Sequence, residues 1–187
     1  MSYISYSKIC TCHGATWRIY SKKCGFYTKM VKQMVGQVLA MLSHHHKVFF
    51  LRFDLHQQEN PLNNKRISVF IRQLFGRIET GYKVKRIGYL WVREQEQSDN
   101  PHYHFAILLD GSKVQHPHYL LEMVKEVWEF MDGTAWIPSN CYYRLKRDDF
   151  NMLQLAVLRI SYFAKGRGKG GGGPAANNYG TSRIGFA

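Results

Sequence analysis

The 187-residue sequence carries 26 lysines and arginines against 13 acidic residues, a net charge of +13, with 45% hydrophobic and 14% aromatic residues. That hydrophobic content excludes a disordered basic tail, and the length suits one compact domain with a short appendage. No apolar run approaches the ~20 residues that span a bilayer, so no membrane role is expected. The opening M-S-Y-I-S-Y-S-K-I-C has no apolar core of a secretory signal. A folded, aromatic-rich, cationic chain points to nucleic acid, although charge alone would equally suit an RNA-binding module or a membrane-surface protein. Cys10, Cys12, Cys24 and Cys141 lack a second closely spaced pair for zinc and are read as reduced thiols of a cytoplasmic protein.

Residues 1–26 are set apart as an N-terminal segment without an assigned structure, beyond a short strand at T-W-R-I-Y, residues 16–20. Tyr27, Met30, Val31, Met34, Val38 and Leu42 recur at helical spacing from Thr28, and His44-His45-His46 closes that helix as solvated residues at its negative end. V-F-F-L-R-F-D-L-H, residues 48–56, is the first clear strand. Its parity sends Phe49, Leu51, Phe53 and Leu55 to one face and Arg52, Asp54 and His56 to the other. Ile67, Phe70, Ile71, Leu74, Phe75 and Ile78 mark a second helix, stopped by Gly81. Lys83, Lys85 and Arg86 open the next strand, where cationic side chains could track a phosphate backbone.

A hairpin follows, with strands at residues 89–93 and 103–109 and a polar loop at 95–101. On its second strand, Tyr103, Phe105, Ile107 and Leu109 take one face while His102, His104, Ala106 and Leu108 take the other. Glu94 ends the first strand across the loop from the two imidazoles. Two histidines and a carboxylate suit a Mg²⁺ or Mn²⁺ site for phosphoryl chemistry, though an H-x-H pair by itself is more often a solvated strand edge than a ligand pair. Glu96 competes for the carboxylate place, because residues two apart share a face; Glu94 is preferred for closing the strand.

Past Pro117, a third helix carries Leu120, Leu121, Val124, Val127, Trp128 and Met131. Residues 140–146 form a further strand, on which Tyr142, Arg144 and Lys146 share a face that suits stacked bases and phosphates, or simply a charged edge. Asp148 is the expected N-cap of a last helix through Phe150, Leu153, Val157, Ile160 and Ala164. Tyr162 and Lys165 lie one helical turn apart there, a phenol nucleophile with an ammonium beside it. Read alone, Tyr162 is an ordinary amphipathic-helix residue. The run G-R-G-K-G-G-G-G-P from residue 166 is a flexible basic segment, either a tether or a loop that closes on DNA through Arg167 and Lys169. Domain boundaries are thus drawn at 1–26, 27–165 and 166–187. The whole reads as α+β, an antiparallel sheet with helices packed on one main face.

H-Y-H followed much later by Y-F-A-K resembles the signature of the HUH endonucleases. The ordered blocks V-F-F-L-R-F-D-L-H, L-W-V-R-E, N-P-H-Y-H-F, S-Y-F-A-K and Y-G-T-S-R, spanning residues 48–183, are similar to the inovirus-type replication initiation proteins of filamentous phages and prophages. The resemblance implies a ferredoxin-like or RRM-like sheet, with the 48–56 strand beside the histidine strand. It implies a site-specific single-stranded DNA endonuclease and strand transferase that starts rolling-circle replication at an origin or hairpin. In that scheme His102, His104 and Glu94 hold Mg²⁺ or Mn²⁺, Asp54 orients a ligand histidine, and Arg52 meets a phosphate. Tyr162 attacks to give a 5′-phosphotyrosine and a free 3′-hydroxyl, and Lys165 supports the developing charge. One tyrosine stands in the motif, with Tyr179 the next, which fits the single-tyrosine class. The chain carries no G-x-x-x-x-G-K-S/T motif, so a helicase and a polymerase of the bacterial host are the expected partners. A transposase or relaxase shares this chemistry. A nuclease using water would dispense with Tyr162, and a non-catalytic RRM-like binder would explain charge and aromatics but not the joint motif.

Overall fold

A computed structural model describes residues 3–59, 61, 63–95, 100–169 and 177–187. In chain order the elements are β1 (Ile4–Ser5), β2 (Ile9–Cys12), β3 (Ala15–Arg18), β4 (Phe26–Tyr27), α1 (Thr28–His44), β5 (Lys47–Gln57), α2 (Lys65–Tyr82), β6 (Gly88–Glu94) and β7 (His102–Asp110). There follow α3 (His118–Glu129), β8 (Gly133–Trp136), β9 (Tyr142–Lys146), α4 (Phe150–Ser161), a 3₁₀ turn (Tyr162–Ala164) and β10 (Tyr179–Thr181). The fold is α+β. Among the described residues six strands form one antiparallel sheet in the order β10-β6-β7-β5-β8, and β9 also pairs with β5.

β5 is the axis of that sheet. One edge pairs with β7 along its length, bringing Asp54 opposite His104, Arg52 opposite Ala106 and His56 opposite His102. Its other edge is divided: β9 covers residues 47–51 and β8 covers residues 54–57. Between the two short strands, Arg52 N–H donates to the Cys141 carbonyl.

Both sheet faces are covered, where the sequence suggested one. Phe49, Leu51, Phe53 and Leu55 of β5 and Tyr103, Phe105, Ile107 and Leu109 of β7 pack against α2 and α3 through Ile67, Phe70, Leu74, Leu120, Val124 and Trp128. On the other face, Val48, Phe50, Leu90, Val92, Ala106 and Leu108 meet α1 and α4. Parity assigned the first face correctly. It missed the second because that face changes character along its length, from apolar at Val48, Phe50, Ala106 and Leu108 to polar at Arg52, Asp54, His102 and His104. An averaged pattern reads as half-solvated.

Local details depart from expectation at helix ends. Asp149, not Asp148, caps α4, its carboxylate accepting from Met152 N–H at 3.0 Å. α2 runs one residue past Gly81, to Tyr82, and Lys83 takes the left-handed turn (φ 53°). A Cβ at Gly81 would stand 2.8 Å from Met123 Cε of α3, the movable end of a flexible side chain. Residues 1–26 are also structured where described. β2 and β3 form a hairpin whose Trp17 is buried and stacked on Phe150 of α4. The C-terminal residues return to the sheet as β10, beside β6.

Candidate metal centre and its tyrosine

The register of three strands assembles the site. Glu94 lies opposite His102, and His104 lies between Val92 of β6 and Asp54 of β5. Glu94, His102 and His104 therefore project from one face, and their ligating atoms all lie within 4.8 Å of one another. His104 Nε2 is 2.8 Å from Glu94 Oε2 and its Nδ1 is 2.8 Å from Asp54 Oδ1. His102 Nε2 is 3.6 Å from the same Glu94 oxygen. Asp54 thus holds the His104 ring through Nδ1, and Nε2 faces Glu94. His56 stacks on His102 with centroids 5.4 Å apart.

The donor set fits a divalent cation. Two imidazoles and a carboxylate are acceptable to Mn²⁺, and more readily than to Mg²⁺, which prefers oxygen. The buried polar groups need such partners, because Glu94 is 1% exposed and Asp54 4%.

Two lysines serve Glu94. Lys165 Nζ lies 2.9 Å from Oε2 and Lys169 Nζ 2.7 Å from Oε1. Burial alone would raise the Glu94 pKa, but contacts from His102, His104 and Lys169 outweigh it and hold the carboxyl well below its ordinary range. Burial likewise opposes ionisation of Asp54, and His104 and Arg52 overcome it, so its pKa is lowered too.

Tyr162 stands at the junction where α4 tightens into the 3₁₀ turn. The expected α-helical pairing with Lys165 becomes a 3₁₀ pairing, in which residues three apart eclipse. Lys165 Nζ consequently reaches Tyr162 Oη at 3.2 Å. One ammonium therefore joins the phenol to the carboxylate of the Glu94, His102 and His104 cluster. The N-terminal segment fixes this turn: Lys165 bridges to Phe26, Gly166 N–H donates to the Gly25 carbonyl, and Tyr20 N–H donates to Ser161 Oγ. The Tyr20 ring meets Tyr162 edge-on at 5.1 Å.

Arg52 is buried beside the cluster, with Nη2 3.3 Å from Asp54 and its guanidinium 5.4 Å from the Tyr162 ring and 5.2 Å from that of Phe163. Phe163, which sequence reasoning passed over, stacks on His104 at 5.4 Å. Its place inside Y-F-A-K was the available signal. Lys169, which the sequence placed on either a tether or a DNA-closing loop, has a side chain 3% exposed and in contact with Glu94. Arg167 is exposed.

The remaining expected DNA contacts lie elsewhere. Tyr142, Arg144 and Lys146 pair in register with Leu51, Phe49 and Lys47, so they stand on the α2/α3 face, opposite the cluster. Lys83, Lys85 and Arg86 precede Gly88, at the other end of β6 from Glu94. Glu96 and part of the glycine-rich run lie outside the described residues.

A model of the YagK/YfjJ C-terminal domain matches residues 13–182. The chain belongs to that family. The match reaches from the β2–β3 turn to just past β10, and so includes β3, whose Trp17 stacks on α4, and the strand returned to β6. No curated protein and no solved structure matches the chain. Among the described residues, no helix is long and apolar enough to cross a membrane.

Proposed function

We propose that this protein nicks and rejoins single-stranded DNA through Tyr162, as an HUH-type replication initiator. The observation that carries the reading is the bridge made by Lys165, whose ammonium contacts both Tyr162 Oη and the Glu94 carboxylate shared with His104. A nucleophile and a divalent-ion site meet at one place, and a net charge of +13 supplies affinity for a phosphate backbone.

Glu94, His102 and His104 would hold Mn²⁺ or Mg²⁺, with Asp54 fixing the His104 ring. Such an ion supplies Lewis-acid polarisation of a phosphate oxygen. Tyr162 Oη attacks phosphorus as the bond to the 3′ oxygen breaks, and the phenolic proton ends on that departing oxygen. The products are a 5′-phosphotyrosine and a 3′-hydroxyl that a host polymerase can extend. Lys165 stabilises the phenolate and the charge on the transition state. Rejoining reverses the step. The ordered motifs favour a rolling-circle initiator acting in a bacterial host's cytoplasm with a host helicase, over a transposase or relaxase.

One observation favours a rival, a non-catalytic single-strand binder: Lys165 and Lys169 already satisfy Glu94. The test is incubation with single-stranded oligonucleotides and Mn²⁺, followed by denaturing electrophoresis and peptide mapping. An adduct on Tyr162, lost in Tyr162→Phe and in chelator, is expected. Chelator-resistant cleavage, or full cleavage by Tyr162→Phe, overturns the proposal, and binding without any cut returns the protein to the rival.

A further inference from the structure

Where pairing on one edge of β5 passes from β9 to β8, a cleft of about 470 Å³ opens beside Tyr162. Its walls include Tyr20, Arg52, Trp136, Tyr143 and Arg159. The volume lies within the ~300–1,000 Å³ of small-molecule sites.

Trp136 is the anomaly. Trp17, Trp91 and Trp128 are 1%, 6% and 0% exposed, whereas Trp136 is 55% exposed although it pairs in register with the buried Asp54. Leaving most of an indole in water forgoes the burial that stabilises the other three, so packing does not account for its place. The two arginines supply the polar side. Arg159 Nη2 donates to the Ser139 carbonyl at 2.5 Å, bracing the chain between β8 and β9, while its Nε is buried without a hydrogen-bond partner. Arg52, 6% exposed, has its Nε in the same condition. An exposed indole, two more aromatic rings and two guanidinium groups lining one cleft together offer stacking and positively charged hydrogen-bond donors, the chemistry that recognises a nucleobase.

We infer that this cleft holds one nucleobase of the single strand, next to the phosphate at Tyr162, stacked on Trp136 with an acceptor-bearing edge toward Arg52 and Arg159. The inference deepens the single-stranded DNA reading and rests on it for the identity of the strand. Continuity with the Tyr162 centre favours a base over an unrelated small molecule, because Tyr162 and Arg52 belong to both.

The experiment uses the unaltered protein in chelator, so that no cleavage occurs, with a labelled oligonucleotide read by anisotropy and by tryptophan fluorescence. Saturable quenching is expected, and Trp136→Phe should remove most of it. Trp136→Ala should weaken affinity roughly tenfold, within the range for one stacked base. The salt slope should not change, since stacking releases no counterions. Moving an abasic position along the oligonucleotide should locate one site that costs the unaltered protein the same factor and costs Trp136→Ala nothing further. Wild-type affinity in Trp136→Ala, or an abasic loss that simply adds to it, overturns the inference. The two proposals fail separately: a Tyr162 adduct without this coupling leaves the nicking reading standing, and coupling without an adduct leaves the base site alone.

Discussion

The two faces of the central sheet are built from the same strands and do opposite work. On the α2/α3 face, β5 and β7 present an unbroken apolar surface, from Phe49 to Leu55 and from Tyr103 to Leu109. On the α1/α4 face, the same strands begin apolar and end in buried Arg52, Asp54 and His104 beside the partly exposed His102, joined there by buried Glu94. Polar groups buried this way are costly unless paired, and each carboxylate of the cluster has cationic or imidazole partners. One face therefore supplies stability, which the other spends on a preorganised charge arrangement.

The sharpest way to break that contrast is to alter neighbours of opposite parity. Phe105 and His102 lie on the same strand three residues apart and face opposite ways. Phe105→Ala should cost about 3–5 kcal/mol of unfolding free energy by removing a ring stacked on Phe53 and edge-on to Phe70. Urea denaturation measures it. His102→Ala, at a half-exposed site, should cost under about 1 kcal/mol yet reduce Tyr162 adduct formation to background. A large stability loss in His102→Ala would mean that the cluster holds the fold together, and the division of labour between the faces would be wrong.

The second prediction is intermediate in size and concerns acid. Glu94 and Asp54 have pKa values depressed below their ordinary 4.5 and 3.8. A depressed carboxyl contributes stability that is complete above its unfolded pKa and is lost as pH falls toward its folded pKa. Metal-free protein should therefore lose stability steeply below about pH 4.5. Glu94→Gln should be less stable than the unaltered protein at pH 7 and show a flatter decline between about pH 5 and pH 3, so that the two denaturation curves converge in acid. Parallel curves would show that Glu94 draws no net stabilisation from His102, His104 and the lysines.

How much of this was legible depended on whether a feature is local or assembled. Strand parity sorted the side chains of β5 and β7 between two faces, including the shared face of Arg52, Asp54 and His56, because a period of two is written in consecutive residues, but it did not show that helices cover the second face as well. The His102, His104 and Glu94 cluster followed from the hairpin, whose pairing is also local. Phe26 and Gly25 clamping the Lys165 turn could not be read, since those contacts join residues about 140 positions apart and a single backbone bridge leaves no sequence pattern. The Lys169 contact was hidden for a related reason. A lysine among glycines reads as solvated until a buried carboxylate is brought to it.

The smallest predicted effect tests the side of the sheet on which DNA runs. Arg144 and Lys146 alternate with Tyr142 in a way that suits a phosphate track, yet β9 aligns them with Phe49 and Lys47, on the face turned away from Tyr162. A strand seated at the metal cluster and the Trp136 cleft would have to cross the β5–β9 edge to reach them. With a short oligonucleotide that fills only the Tyr162 side, Arg144→Ser with Lys146→Ser should therefore shift affinity by about twofold or less, through long-range potential alone. Its salt dependence should be nearly unchanged. Two lost phosphate contacts to a single strand would instead lower the slope of log affinity against log salt by about 1.4. A salt titration separates these cases, and lengthening the oligonucleotide sharpens it. If the slope changes only for longer strands, the DNA wraps over the β9 edge. If it changes for the short one as well, the substrate lies on the α2/α3 face and the division between the faces fails.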